Sequence, residues 1–444
     1  MKIDIVKTRF RHALVWGYGL EGRAVRQFLA ARCPDLAISV ADQSEAFAAE
    51  LGNGFVRQED MGAFIAAHAP VLLIKSPGIS PYGEDFTRLI SAGAVSTSQT
   101  NLWLANRPAH QTAIAITGTK GKSTTSTMVH HILARCGKRA ELGGNVGRPV
   151  CEIGSDAEIV VVEMSSYQGA DLVHGFDYAM LLNLDADHIP WHRSLEAYHR
   201  DKLNILVQSA AGQLIVPARE RQRFAALETA KPMQLHGAAP GIWVDDRGIL
   251  RASDRALEVP AHILGVHNRR NLAAALTLVE NFGIAADAAL AALSDFKPLA
   301  HRLETVATIA GTRFISDAIA TTPAACWSAV EAFQDEDLVL VLGGTERGQD
   351  YDWLAKRLKT RQTLKRLILI PDNADRIASV LAAHGLADIT TAYDDFDTAI
   401  RAAPAFLPSG GVVLLSPAAP RGSAFGHINA RGERFREIAQ SLSE

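Results

Sequence analysis

The chain has 444 residues, of which 48% are hydrophobic and 21% are charged, and its formal net charge is −3. This composition is typical of a globular protein of about three domains, and it lacks the basic excess that binding to nucleic acid or an anionic membrane would need. The sequence begins without the apolar core of a signal peptide, has no run near the roughly 18 apolar residues of a membrane helix, and carries four cysteines without metal spacing, so we expect a cytoplasmic protein.

Short apolar runs alternate with amphipathic stretches along the chain, which predicts βαβ units and an α/β fold. The runs that we interpret as buried, mostly parallel strands are 12–16, 38–42, 71–75, 113–117, 159–163, 178–184, 313–319, 337–344, 365–370 and 411–416. A helix is predicted over 194–207, a turn-rich section over 236–260, and two helices near 268–282 and 284–294. We predict three domains, each with a Rossmann-like or P-loop doubly wound sheet: 1–108, 109–298 and 299–444.

A glycine turn follows the first strand, with Gly17, Gly19 and Gly22 in G-x-G-x-x-G spacing. Asp42 ends the second strand about 20 residues later, as in a dinucleotide-binding fingerprint. The pattern leaves a nicotinamide-dependent oxidoreductase open as an alternative function, although hydride transfer would not need the motifs found downstream.

A second glycine turn, 117–124, lies between the apolar run 113–117 and a helical pattern. Gly118 and Gly121 let the backbone curl around a phosphate, Lys122 supplies a positive charge, and Ser123 or Thr124 offers a hydroxyl to Mg²⁺. The usual P-loop spacing has a glycine where this chain has isoleucine, so the loop is a shortened variant. We predict that it binds a nucleoside triphosphate.

Three further features follow the loop. Glu163 ends a strand, where P-loop proteins commonly hold a Mg²⁺ ligand, and His188 follows another predicted strand. Tyr198 and Lys202 share a helix face at i, i+4 spacing. Each is weak alone, because a strand-end glutamate, a loop histidine and a helix lysine are most often solvated surface residues.

In this combination and order, the motifs resemble the Mur ligase family, the ATP-dependent amide-forming enzymes of peptidoglycan synthesis. The matching segments are TGTKGKST (117–124), GGNVGRP (143–149), EMSSYQ (163–168), NLDADH (183–188), the S-x-E-x-Y-x-x-x-K run over 194–202, HNRRN (267–271), HRLE (301–304), SDAIATTP (316–323) and LGG (342–344). The resemblance runs from about residue 12 to the end of the chain.

The resemblance implies that ATP phosphorylates a carboxylate and that the amine of an amino acid then displaces phosphate. It assigns catalytic roles to Lys122, His188 and Lys202, and it implies that Lys202 is carbamylated. The resemblance implies two Mg²⁺ ions, and their implied ligands are Ser123, Glu163, His188 and Lys202. The implied ATP-binding residues, with Asn145 near the γ-phosphate, Asn271 near adenine, and Arg302 and Asp317 closing from the third domain, are Gly118, Thr119, Lys120, Gly121, Lys122, Ser123, Thr124, Asn145, Asn271, Arg302 and Asp317.

For the first domain, the resemblance implies that the glycine turn holds the uridine diphosphate of a sugar nucleotide. The residues so implied are Gly17, Tyr18, Gly19, Asp42, Ser76, Pro77 and Gly78. A monomer acting in cell-wall biogenesis, and through it in cell shape, cell division and the cell cycle, is the corresponding expectation.

The S-P-G-I motif at 76–79, the compact first domain and the length are most similar to the branch of the family that adds glutamate to UDP-N-acetylmuramoyl-L-alanine. Departures cluster in the third domain, where the amino acid would bind at Thr321, Arg347, Ser416 and Arg421. Ile319 stands where that branch usually has a lysine, whereas Arg421 adds a cation elsewhere. Because one cation is lost and another is gained, the number of cations at the site stays the same while their positions change. This suggests a ligand of the same charge that binds in a different pose. We therefore predict L-glutamate, with D-glutamate as the alternative, and a binding protein without ligase chemistry as a third.

Overall fold

The computed structural model of the chain describes residues 1–227, 233–297, 299–408, 410–427 and 429–442. They form two compact units, one from Met1–Glu258 with Arg270–Phe296 and the other from Val259–Arg269 with Lys297–Glu444. The predicted boundary between the second and third domains falls on Pro298, which lies outside the described residues. The division at 108 and 298 therefore stays a prediction.

The first sheet is wholly parallel, with strand order β2-β1-β3-β4. Its strands are β1 (His12–Trp16), β2 (Ala37–Ala41), β3 (Val71–Lys75) and β4 (Ala94–Thr97). The accompanying helices are α1 (Ile3–Arg9), α2 (Leu20–Arg32), α3 (Ala46–Leu51), α4 (Met61–His68), α5 (Glu84–Ser91) and α6 (Gln99–Asn106). Every residue of β3 is buried, as expected for a strand covered by helices on both faces.

The second sheet is also parallel, in the order β10-β9-β8-β5-β7-β6. Its strands are β5 (Thr112–Thr117), β6 (Ala140–Gly144), β7 (Ile159–Glu163), β8 (Tyr178–Leu181), β9 (Gln213–Pro217) and β10 (Gln234–His236). Its helices are α7 (Lys122–Arg135), α8 (Ser166–Ala170), α9 (Ile189–His192) and α10 (Leu195–Gln208). The predicted strand at 178–184 ends three residues early, because the chain turns toward the loop that precedes His188.

The section predicted as turn-rich also contains a small antiparallel sheet of β11 (Ile242–Val244), β12 (Leu250–Ala252) and β13 (Arg255–Ala256). Helices α11 (Val266–Val279) and α12 (Ala286–Ala292) follow. No single helix in the described ranges combines the length and apolarity needed to cross a membrane, although the bent pair Val266–Phe282 and Ala286–Asp295 passes that test jointly.

The third sheet has the order β14-β15-β19-β16-β17-β18, with only the β14–β15 pair antiparallel. Its strands are β14 (Glu304–Ile309), β15 (Thr312–Ser316), β16 (Leu338–Leu342), β17 (Leu364–Leu369), β18 (Thr390–Ala392) and β19 (Gly411–Leu415). Its helices are α13 (Pro323–Glu331), α14 (Tyr351–Leu358), α15 (Ala374–Ala383), α16 (Phe396–Ala402) and α17 (Ala430–Ser441). Buried apolar residues on both faces of β16 and β19 form its core. The predicted α/β architecture with mostly parallel sheets is confirmed.

Candidate active site

The second glycine turn joins β5 to α7 at the carboxyl edge of the sheet. Gly121 has a φ of 83°, a left-handed conformation that favours glycine. A Cβ at this position would lie 2.2 Å from Oδ1 of Asn271, so the predicted adenine-contacting asparagine packs directly against the turn. Because α7 begins at Lys122, the helix N-terminus faces the turn and provides N–H groups for an anion.

Two lysines converge on one carbonyl of this turn. Lys122 Nζ donates to the carbonyl oxygens of Gly118, at 2.9 Å, and Thr119, at 3.0 Å. Lys202 Nζ donates to the same Gly118 oxygen at 2.9 Å, and its residue is only 2% exposed. Burial, reinforced by the charge of Lys122, lowers the pKa of Lys202 to about 7. Lys202 is therefore a buried residue at the glycine turn, and not the surface residue that a lone helix lysine most often is.

Glu163 ends β7 beside the same turn, because β7 pairs with β5 and Glu163 lies opposite Ile116. Its residue is 1% exposed, and its Oε1 accepts a hydrogen bond from Asn145 Nδ2 at 2.9 Å. Its Oε2 is buried and has no hydrogen-bond partner in the described part of the chain. A buried carboxylate oxygen without a donor is suited to a cation.

His188 and Asp187 lie on the loop after β8. Asp187 Oδ2 pairs with Lys120 Nζ at 3.2 Å, which ties this loop to the glycine turn. Burial lowers the pKa of His188, and Lys122, Lys120 and Lys202 act in the same direction. Its imidazole is therefore neutral at neutral pH and able to bind a metal.

Hydroxyl groups complete the surroundings of the turn. Thr119 Oγ1 lies 2.8 Å from the Tyr198 hydroxyl and accepts from the Asp185 N–H at 2.9 Å. Ser123 is 9% exposed in the first turn of α7, followed by the half-buried Thr124. In the described ranges no three His, Cys, Asp or Glu side chains lie together as a metal site. A cation at Glu163 would therefore need the hydroxyl, the imidazole or a modified lysine as its other ligands.

A buried hydrogen-bond network lies next to these residues and was not predicted from the sequence. Asp201 accepts hydrogen bonds from the Tyr82 hydroxyl, at 2.6 and 2.7 Å, and lies 2.7 Å from His192 Nδ1. His192 Nε2 lies 2.9 Å from Ser166 Oγ, and the His192 residue is fully buried. The network joins the loop after β3, the start of α8 and the helix that carries Lys202. The only sequence signal was Asp201 next to Lys202, which is too common to single out.

Different side chains surround the first glycine turn, 17–22. Gly17 has a φ of 95°, and Ser76 Oγ donates to its carbonyl oxygen at 2.9 Å. Asp42 accepts from the Tyr18 N–H at 2.6 Å, so this residue, which the resemblance implies for the sugar nucleotide, supports the turn itself. A Cβ at Gly22 would lie 2.1 Å from the Gly17 oxygen, which explains the third glycine.

The remaining residues implied for the sugar nucleotide lie beside this turn. Gly19 is the residue before α2. Pro77 and Gly78 follow Ser76, and the Gly78 oxygen accepts from Trp191 Nε1 at 2.9 Å.

The residues implied for the amino acid lie in the second unit, on loops after β15, β16 and β19. Ser416 Oγ donates to Asp317 Oδ2 at 2.7 Å, and burial raises the pKa of Asp317 to about 7, opposed by Ser416 and Arg302. Thr321, Arg347 and Arg421 are exposed. The Thr345 hydroxyl donates to the Arg421 oxygen at 2.6 Å, which joins two of the three loops.

Comparisons with known proteins identify the family of the chain. The family model described as Mur ligase middle domain matches residues 116–279, and the model described as Mur ligase, glutamate ligase domain, matches residues 301–419. A relative from Micromonospora sp. is 34% identical over 455 residues, covering 98% of each chain. Another, from Xanthomonas oryzae pv. oryzae, is 31% identical over 446 residues, covering 96% of this chain and 94% of the relative. Both are named UDP-N-acetylmuramoyl-L-alanine–L-glutamate ligase.

Solved structures give the same fold. UDP-N-acetylmuramate-alanine ligase from Thermotoga maritima matches with a TM-score of 0.59 and 19% identity, over 98% of this chain and 100% of that chain. MurF ligase from Thermotoga maritima, in complex with ADP, matches with a TM-score of 0.60 and 14% identity, over 98% and 95%. With both family models matched and relatives above 30% identity along nearly its whole length, the chain belongs to the Mur ligase family of ATP-dependent amide ligases.

Proposed function

We propose that the protein joins L-glutamate to UDP-N-acetylmuramoyl-L-alanine at the expense of ATP, as a step of peptidoglycan synthesis. The full-length relatives carry this activity in their names. The observation that carries the proposal is the convergence of Lys122 and Lys202 on the Gly118 oxygen, with Glu163 opposite Ile116 in the adjacent strand pair. We expect a cytoplasmic monomer.

A carboxylate is a poor electrophile, so the reaction needs a leaving group. In the proposed reaction, a carboxylate oxygen of UDP-N-acetylmuramoyl-L-alanine takes the terminal phosphoryl group of ATP, and ADP leaves. The glutamate nitrogen then attacks the acyl carbon of the resulting acyl phosphate, inorganic phosphate leaves with its bridging oxygen, and the nitrogen loses a proton. Both steps develop negative charge on oxygen, which fixed cations and N–H groups stabilise.

The turn supplies those groups. Lys122 and the N-terminus of α7 would neutralise the phosphate oxygens, with Thr119, Lys120 and Gly121 shaping the turn around them. Asn145 holds one oxygen of Glu163, which leaves the other directed to a ligand. Asn271 packs on Gly121, close enough to the turn to contact the nucleotide.

The donor set fits Mg²⁺, because Glu163 presents a buried oxygen without a partner and Ser123 and His188 add a hydroxyl and a neutral imidazole. The residues that would hold it are Ser123, Glu163, His188 and a carbamylated Lys202. Mg²⁺ would supply charge neutralisation on the phosphate oxygens. Lys202 can take up CO₂ only as the free amine, and its pKa of about 7 provides that form near neutrality.

The amino acid is proposed to bind in the second unit, at Thr321, Arg347, Ser416 and Arg421. Ile319 leaves one position without a cation, and Arg421 offers a guanidinium in the loop after β19. L-glutamate is the choice that agrees with the names of the relatives, and D-glutamate is the outcome that would displace it.

The test is phosphate release by the purified protein with UDP-N-acetylmuramoyl-L-alanine and ATP, measured separately with L-glutamate and D-glutamate. We expect release with the L-enantiomer, and mass spectrometry of the product should report one added glutamate. Phosphate release with D-glutamate alone would overturn the assignment of L-glutamate but would still support a glutamate ligase. Release with neither would overturn the proposed function.

A further inference from the structure

Arg431 is a fully buried arginine in the first turn of α17. Its residue is 1% exposed, and its guanidinium donates only to backbone carbonyls. Nη1 donates to the oxygens of Gly343, at 3.1 Å, and Pro420, at 3.2 Å. Nη2 donates to the oxygens of Ala318, at 2.7 Å, and Ala419, at 3.0 Å. One side chain therefore ties three loops together.

The charge of Arg431 is not neutralised by a carboxylate within the described ranges, where no ion pair includes it. Burial lowers its pKa to about 10, which still leaves it protonated at neutral pH. A cation in the first turn of a helix also opposes the helix dipole. These costs are offset by charge-assisted hydrogen bonds to four loop carbonyls, which a neutral side chain of similar size could not make, so this charge serves to fix the positions of the loops.

The three tied loops are those of the proposed amino-acid site. Gly343 follows β16, Ala318 follows β15, and Ala419 and Pro420 follow β19. The peptide bonds from Ala318 to Ile319 and from Pro420 to Arg421 are trans, since the cis bonds lie elsewhere. In a trans peptide the N–H points opposite to the C=O. With both carbonyls directed at the guanidinium, the N–H groups of Ile319 and Arg421 point away from it.

We infer that Arg431 is a positioning and selectivity residue for the amino acid: it fixes the peptide units before Ile319 and Arg421 with their N–H groups toward the ligand, and its unpaired charge favours an anionic side chain there. This inference rests on the proposed function. It also bears on the missing lysine at position 319, because the backbone N–H of that residue, backed by a buried cation, offers a carboxylate the donor that the side chain does not.

Arg361 gives a matched control in the same unit. Its guanidinium also binds backbone carbonyls, those of Val330 at 2.8 Å, Glu336 at 3.2 Å and Phe333. These oxygens lie at and after the end of α13, where a cation is favourable, and none belongs to the three loops. The same substitution at Arg361 should therefore affect stability without affecting the amino acid.

The experiment compares Arg431→Gln, Arg431→Lys, Arg361→Gln and Arg361→Lys with the wild type in the whole chain, by steady-state phosphate release. For Arg431→Gln we expect the glutamate KM to rise about tenfold, the size of one lost charge-assisted contact. The ATP KM and kcat at saturating glutamate should change less than about twofold, because none of the carbonyls that Arg431 binds belongs to a predicted ATP-binding residue. Arg431→Lys, which keeps the charge, should raise the glutamate KM by only about threefold.

Circular dichroism and urea unfolding establish that each variant is folded. If Arg431→Gln does not fold, Arg431→Lys decides, because its glutamate KM should rise while that of Arg361→Lys stays at the wild-type value. A glutamate KM in the Arg431 variants equal to that in the Arg361 variants would overturn the inference, as would a fall in kcat with both KM values unchanged. No release by the wild type with either enantiomer of glutamate would overturn the proposed function and the inference together.

Discussion

The first and second sheets carry the same backbone device, a strand, a glycine turn and a helix, but they surround it with different charges. At the second turn Lys122 and Lys202 meet on one carbonyl beside an unsatisfied Glu163 oxygen. Near the first turn, the buried lysine Lys75 forms an ion pair with Asp171, with 2.7 Å between Lys75 Nζ and Asp171 Oδ2. In the proposed function, the first turn would bind a diphosphate through its N–H groups, whereas the second would take part in chemistry on a triphosphate.

The largest expected effect comes from replacing the lysine near each turn, Lys122 and Lys75, by methionine. Lys122→Met should lower kcat/KM about a hundredfold to a thousandfold, because it removes a charge that stabilises the transition state. Lys75→Met should instead cost about 3–5 kcal/mol of unfolding free energy, because it leaves Asp171 partly buried without its partner. Phosphate release and urea unfolding on both variants separate these outcomes. If Lys75→Met were the catalytic defect and Lys122→Met the stability defect, the comparison would be wrong.

A second pair of variants tests which substrate each turn serves. Gly17→Ala puts a Cβ 2.5 Å from Ser76 Oγ, and Gly121→Ala puts one 2.2 Å from Asn271 Oδ1, both at a positive φ. Such strain costs about 1–3 kcal/mol, equivalent to about fivefold to 150-fold in binding. We expect Gly17→Ala to raise the KM of the sugar nucleotide and Gly121→Ala to raise that of ATP. Gly137→Ala, also at a positive φ but outside both turns and with no atom within 4 Å of its Cβ, is the control.

Much of this comparison could be predicted from sequence, because it depends on local patterns. Apolar runs predicted β1, β3, β5 and β7, and the glycine spacing predicted both turns. The helix spacing of Tyr198 and Lys202 predicted one shared face, and both residues do reach the turn.

The charged side chains that surround the turns were harder to predict from sequence, because their contacts join residues far apart in the chain. Tyr82 and Asp201 are separated by 119 positions, and neither lies in a pattern that differs from ordinary surface residues. Arg431 and the Ala318 oxygen that it binds are separated by 113 positions. The segment Val259–Arg269 belongs to the second unit although its sequence neighbours belong to the first, which no local signal indicates.

The buried network around Asp201 provides a prediction whose expected effect on stability is of intermediate size. Tyr82→Phe removes the hydroxyl that donates to Asp201 and accepts from Arg200 at 2.8 Å. Losing a hydrogen bond to a buried carboxylate should cost about 2 kcal/mol of unfolding free energy. Tyr178→Phe, at a ring that packs 5.1 Å from Phe282, is the matched control for removing a hydroxyl. Equal urea midpoints for the two variants would mean that Asp201 does not depend on Tyr82.

The smallest expected effect, at most about 1.4 kcal/mol per pH unit, is a pair of opposite pH slopes in stability, one from each turn. Burial raises the pKa of Glu21, at the start of α2, from 4.5 to about 7, so the folded state binds more protons than the unfolded state between these values. Stability from Glu21 therefore falls as the pH rises from about 4.5 to about 7. Lys202 behaves oppositely: its pKa is lowered from 10.5 to about 7, the unfolded state binds more protons in that range, and stability rises with pH.

Urea unfolding across pH 5 to 10 on Glu21→Gln and Lys202→Met separates the two slopes, because each variant should remove one and keep the other. The Lys202 slope should also shrink when bicarbonate is added, since carbamylation replaces the amine that titrates. A Lys202→Met variant with the wild-type slope above pH 7 would mean that this lysine is protonated in the folded protein. It would then be a cation beside Lys122 rather than a precursor of a metal ligand, and the contrast between the two turns would rest on Glu163 alone.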